Sequence, residues 1–186
     1  MLFRSILVVD DEPDLELIIR QKFRPQIRDG SYAFVFARNG IEALAVLEQN
    51  PAIELILSDI NMPEMDGLTL LTKIKEMENP LHRAIIVSAY GDMENIRTAM
   101  NRGAFDFVVK PVDLNDLDLT IKKSVHELDM FKDAIRSRDQ LTAIKRELSI
   151  ATEIQTSILP KTFPPFPDRK EFELYARMLP DRKSVV

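Results

Sequence analysis

The chain of 186 residues has no cysteine, only two histidines and few aromatic residues, 7% in all. Without cysteine there are no disulfides, no zinc-thiolate sites and no thiol catalysis, which leaves oxygen ligands as the natural way to hold a metal. His82 and His126 match no ligand spacing, so both are expected at a surface or an interface. The dispersed aromatics do not form a base-stacking platform. No apolar run approaches the length that spans a bilayer, and the opening "MLFRSILVVD" reaches its acidic pair too early for a signal peptide. A soluble, cytoplasmic chain with no membrane partner is therefore expected.

Charge is unevenly spread. Residues 1–112 carry 17 acidic and 12 basic side chains, and residues 113–186 carry 13 of each. A duplex-binding module should present a basic face, and the balanced second part argues against nucleic acid as a partner.

What is present is an alternating pattern. Five short runs rich in Val, Ile and Phe read as strands: "ILVVD" ending at Asp10, "YAFVFA" at 32–37, "IELILSD" ending at Asp59, "RAIIVSA" ending at Ala89 and "FDFVVK" ending at Lys110. Between them, apolar residues recur at helical spacing, as at Leu15, Ile18, Ile19 and Phe23, or Leu68, Leu71 and Ile74. The order is (βα)5. Near-continuous apolar strands are buried on both faces, so the pattern predicts an α/β fold with a central parallel sheet between helical layers.

The stretch "LILSDINMPEMDG" places a carboxylate, Asp59, at the mouth of a buried strand, where an isolated charge is costly. In an open α/β sheet, ligands bind beyond the carboxyl ends of the strands. The runs deliver Asp10, Asp11, Asp59, Ser88 and Lys110 to that edge. Three close carboxylates repel unless a cation sits among them, which points to Mg2+. Asp59 then reads as a nucleophile for phosphoryl transfer, with Lys110 pairing with the transferred group and the Ser88 hydroxyl bonding one of its oxygens. Taken singly, each acidic residue could be a helix cap, and Ser88 could simply cap its loop.

The ordered motifs "VVDDE", "SDINMPEMDG", "VSAYGD" and "FVVKP" resemble the receiver domain of two-component response regulators over about residues 3–125. The resemblance implies a flavodoxin-like, doubly wound sheet of order 2-1-3-4-5 and a phosphoacceptor role for Asp59, charged by a histidine kinase or phosphotransfer protein. It further implies that Asp10, Asp11, Asp59 and the backbone carbonyl of Asn61 arrange Mg2+. Ser88 and Lys110 would sense the phosphate, and Phe107 would be the switch aromatic, although Phe107 could equally be a core residue. Pro111 would follow a cis bond.

Past Val112 the pattern is one long helix, Asp113 to about Leu159, free of glycine and proline. Leu114, Ile121, Leu128 and Ile135 keep a seven-residue spacing that Leu141 and Leu148 resume after a one-residue shift. This predicts a coiled-coil-type helix in two parts, broken near 136–140 and pairing with a second copy, against the alternative of folding back on its own receiver. The domains expected are a receiver at 1–125, a signalling and dimerisation helix at 126–160, and a proline-rich linker with one strand at 161–186.

Residues 147–180, with Ile154, Gln155, Leu159, Pro160 and "ARMLP", resemble the lead-in to SpoIIE-like type 2C serine/threonine phosphatases. That resemblance implies a metal-dependent phosphatase output beyond residue 186, and through it an anti-sigma-factor antagonist as downstream partner. The fragment itself would be no enzyme. The competing expectations are a non-enzymatic adaptor that binds a partner through its C-terminal helix, and a DNA-binding regulator.

Overall fold

The computed structural model describes residues 4–89 and 91–157. The expected strand at 172–179, the proline-rich linker and the pair Leu159–Pro160 lie outside these residues.

Five strands form one parallel sheet: β1 (Arg4–Val9), β2 (Tyr32–Ala37), β3 (Ile53–Asp59), β4 (Arg83–Ala89) and β5 (Asp106–Lys110), in the spatial order β2-β1-β3-β4-β5. The expected doubly wound arrangement is therefore the observed one. Its cause is visible in β1, where successive residues serve opposite layers. Ile6 and Val8 join one apolar cluster with Ile19, Phe23 and Ile121, while Leu7 and Val9 join another with Leu47, Ile56 and Leu70. A strand apolar at every position needs a helix on each side.

The helices are α1 (Pro13–Lys22), α2 (Arg24–Arg28), α3 (Gly40–Gln49), α4 (Gly67–Glu76), α5 (Met93–Arg102) and α6 (Leu114–Ser157). Short side chains fix the starts of α3 and α4. Asn39 accepts the Glu42 amide at 2.8 Å and Asp66 accepts the Thr69 amide at 2.7 Å, two N-caps that seat α3 and α4 just after strand ends. Gly67 has to be glycine, because a Cβ there would strike the Asp59 carbonyl at the end of β3. The close approach brings α4 against the strand that carries Asp59. The short α2, with a proline in its first turn, was not expected from periodicity; five residues are too few to display one.

The chain divides into two compact units, Met1–Lys132 and Asp133–Val186. The boundary expected at 125 thus falls inside a helix whose contacts with the sheet reach Lys132. Within the first unit Leu117, Ile121 and Leu128 are buried and Leu114 is partly so. This early part of the seven-residue pattern therefore packs on its own receiver, as the fold-back alternative had it. At the base of the sheet, Arg4 is buried and pairs with Glu54 at 3.0 Å and with Asp129 of α6, while Lys132 pairs with Glu54. Arg83 lies 5.1 Å from the centroid of the Phe131 ring. In the second unit the described residues form a single helical segment, with Leu141, Ile144, Leu148, Ile150 and Ile154 all at least half exposed. The helix runs unbroken through 136–140, contrary to the expected two parts. Only the hydrophobic spacing shifts there; no proline or glycine interrupts the backbone.

Candidate functional site

The carboxyl ends of β1 and β3 lie side by side at the point where the chain turns to opposite sides of the sheet, which is where such folds bind ligands. Among the described residues, Asp10, Asp11 and Asp59 form a group whose carboxylate oxygens lie within 4.8 Å of one another. Asp10 and Asp59 are buried and Asp11 is exposed. Lys110, at the end of β5, reaches across with its Nζ 3.0 Å from Asp59 Oδ2, 3.0 Å from Asp10 Oδ2 and 3.4 Å from Glu12 Oε1. The Lys110–Pro111 bond is cis.

Local backbone fixes the rest of the carboxylate geometry. Asp59 Oδ1 accepts the Ile60 amide at 2.8 Å, and Asp10 Oδ1 accepts the Glu12 amide at 2.8 Å. The second oxygen of each is thereby turned toward the shared space. Asp10 Oδ2 touches the lysine ammonium but receives no well-directed hydrogen bond, so a buried oxygen keeps unused acceptor capacity. Burial pushes the Asp10 carboxyl above the usual carboxylate range, with the Glu12 amide and Lys110 working against it. For Lys110 burial acts to lower the pKa, and the hydrogen bond to Asp59 with the close Asp10 carboxylate outweighs it and holds the ammonium above the usual lysine range. Three converging carboxylates, one of them with an unsatisfied buried oxygen, are a donor set suited to a hard divalent cation such as Mg2+.

Ser88 sits at the end of β4, fully buried, and its Oγ donates to Asp92 Oδ2 at 3.3 Å. Strand register sets it one residue past the level of Asp59, which pairs with Val87. Asn61 is exposed, two residues beyond Asp59, in the loop leading to α4. Phe107 is 37% exposed on β5 and faces Met93, Ile96 and Arg97 of α5, so the core-residue alternative does not hold for it. Two residues missed by motif reasoning stand at the site: Glu12, in contact with Lys110, and Asp92, bonded to Ser88. Asp92 follows "VSAYG" four residues after Ser88, a spacing that offered a signal. His82 is half-buried beside Asn79 rather than at the surface, and burial lowers its pKa. His126 is exposed as expected.

The model of the response regulator receiver domain matches residues 6–122. The chain belongs to that family. It is 29% identical over 123 residues to sporulation initiation phosphotransferase F of Bacillus subtilis, covering 66% of this chain and 94% of that protein. It is 34% identical over 136 residues to regulatory protein AtoC of Escherichia coli, covering 73% of this chain and 28% of that protein. Likewise it is 34% identical over 121 residues to transcriptional regulatory protein ZraR of Klebsiella oxytoca, covering 65% of this chain and 26% of that protein. The chain therefore spans about a quarter of the length of these two regulators. Among solved structures, a CheY-like receiver domain protein from Methanospirillum hungatei superposes with a TM-score of 0.62 at 31% identity, over 69% of this chain and 98% of that one. Residues 6–122 are thus the receiver domain of a two-component response regulator, a domain that accepts a phosphoryl group on an aspartate. Among the described residues, no helix is long and apolar enough to cross a membrane.

The raised pKa of Asp10 has a defined sign. Folding favours its protonated form, so its favourable contribution is present at acid pH and is lost as pH rises through the raised value. In metal-free protein, Asp10→Asn should therefore be more stable than wild type at neutral pH, with the difference closing as pH falls toward 4, and it should lose stabilisation by added Mg2+. Urea unfolding across pH, with and without Mg2+, measures both effects.

Proposed function

We propose that Asp59 is the phosphoacceptor, charged by a histidine kinase or phosphotransfer protein, and that α6 carries the resulting change toward an output domain. The observation that supports this most is the Lys110 ammonium, 3.0 Å from Asp59 Oδ2 at a strand mouth shared with two further carboxylates. Asp59 Oδ2 is the oxygen left after the Ile60 amide binds its neighbour, and it faces the shared space as an attacking nucleophile should. Attack on the donor phosphorus would join this oxygen to the phosphoryl group while the donor atom leaves with the bonding pair. Mg2+ held by Asp10, Asp11, Asp59 and the Asn61 carbonyl would neutralise negative charge on the phosphoryl oxygens. Lys110, already desolvated and permanently charged, would release a carboxylate and take a phosphoryl oxygen. The Ser88 hydroxyl would bond another, and Phe107, against α5, would alter the outer face in response.

Transmission rests on α6. Its first part is clamped to the sheet by Leu117, Ile121, Leu128 and the Arg4 ion pairs, so a shift in the receiver would act on that part of the helix directly. The exposed apolar residues Leu141, Ile144 and Leu148, at a three–four spacing, suit pairing with a second copy of the chain. Beyond them, the resemblance of residues 147–180 to the lead-in of SpoIIE-like phosphatases supports a metal-dependent serine/threonine phosphatase output, with an anti-sigma-factor antagonist as its substrate. A transcription-regulating output, as the description of ZraR as a transcriptional regulatory protein gives for that protein, draws support only from the receiver portion that it shares with this chain.

With acetyl phosphate and Mg2+, intact-mass measurement should find one phosphoryl adduct on the wild-type chain and none on Asp59→Asn; labelling that survives Asp59→Asn would exclude the assignment. Sedimentation equilibrium should give a dimer for wild type and a monomer for Leu141→Asp/Leu148→Asp, whereas a wild-type monomer both with and without beryllofluoride would remove the pairing.

A further inference from the structure

We propose that Asp92 is a positioning residue that holds the Ser88 hydroxyl in a resting orientation, in competition with a phosphoryl group on Asp59. The proposal rests on the Asp59 reading above and adds to it a residue that sets how readily the site engages its phosphoryl group.

Asp92 occupies the N-cap position of α5 but makes no capping bond with its side chain. At the corresponding positions of α3 and α4, Asn39 and Asp66 do cap their helices. The Asp92 carboxylate is turned inward instead. Its Oδ2 accepts the Ser88 hydroxyl at 3.3 Å and the Asn95 side-chain amide at 3.0 Å. A backbone bond from the Asp92 amide to the Ala89 carbonyl, 3.2 Å, closes the turn that sets it there. Ser88 is fully buried, so its hydroxyl finds its acceptor inside the protein.

A serine hydroxyl has one proton and gives it to one strong acceptor at a time. Bonding to Asp92 and bonding to a phosphoryl oxygen on Asp59 are therefore alternatives, and the free energy of the first is subtracted from the second. Releasing Ser88 also frees Asp92 Oδ2 to turn to the unpaired amides in the first turn of α5, the usual partners of an N-cap. That turn carries Met93 and leads to Ile96, which line the surface beside Phe107. The exchange of one hydrogen bond is thus placed where it can alter the α5 face.

The test is a fluorine NMR titration of the full chain with beryllofluoride and Mg2+, using Asp59→Asn as control. The bond is long, 3.3 Å, and losing one hydrogen bond of ordinary strength predicts that Asp92→Ala binds roughly three- to tenfold more tightly than wild type. Asp92→Asn, which keeps an acceptor oxygen of the same shape, should fall between them. Removing a negative charge could by itself favour an anion, so the same substitution is made on Ser88→Ala. There the gain should vanish, because the hydroxyl that Asp92 restrains is gone. Unchanged or weaker binding by Asp92→Ala would overturn the proposal, as would an equal gain on the Ser88→Ala background. A wild-type chain with no Asp59-dependent uptake would overturn the phosphoacceptor reading itself, and this proposal with it.

Discussion

Lys110 holds together a site that would otherwise be unstable. Asp10 and Asp59 are both buried, on adjacent strands, and two desolvated carboxylates at that distance oppose folding and each other. The ammonium placed 3.0 Å from each opposes both costs, although burial still leaves the Asp10 carboxyl above its usual range. On the proposed function, reactivity and stability are thereby linked, because the group that makes the acidic cluster tolerable would also be the one to receive a phosphoryl oxygen. The arrangement depends on strand order: β1, β3 and β5 end at one edge, and the Lys110 side chain is long enough to cross from β5 over β4 to β3 and β1.

Most of the receiver was legible in the sequence for a simple reason. Each strand is apolar at nearly every position and stops at a charged or small residue, so β2, β3 and β4 begin and end where the runs do. The same punctuation delivered Asp10, Asp59, Ser88 and Lys110 to one edge. Glu12 and Asp92 lie within the motifs "VVDDE" and "VSAYGD" but were given no role, because both sit in loops where an acidic residue has many uses and only tertiary contacts select one. Phe107 illustrates the limit of composition: an aromatic in an apolar strand reads as core, yet β5 is an edge strand and leaves that side chain against α5 and solvent.

The long helix divides the legible from the ambiguous. Seven-residue spacing cannot distinguish a stripe that packs on a sheet from one that packs on another helix. Leu117, Ile121 and Leu128 take the first use, and the exposed Leu141, Ile144 and Leu148 suit the second. On the proposed pairing, a change of partner would account for the one-residue shift in spacing while the backbone continues unbroken. The ion pairs of Arg4, Glu54, Asp129 and Lys132 mark where the first use ends.

The most direct test of the charge balance at the site is the urea unfolding of Lys110→Met at neutral pH, with and without Mg2+, against wild type. If Lys110 is the resident counter-cation, the metal-free variant should lose roughly 3–5 kcal/mol, the order expected for removing one partner of a buried ion pair. Mg2+, by supplying the missing positive charge, should then restore most of that loss. A loss of the same size in both conditions would mean that Lys110 acts by packing rather than by charge, and would contradict the arrangement described.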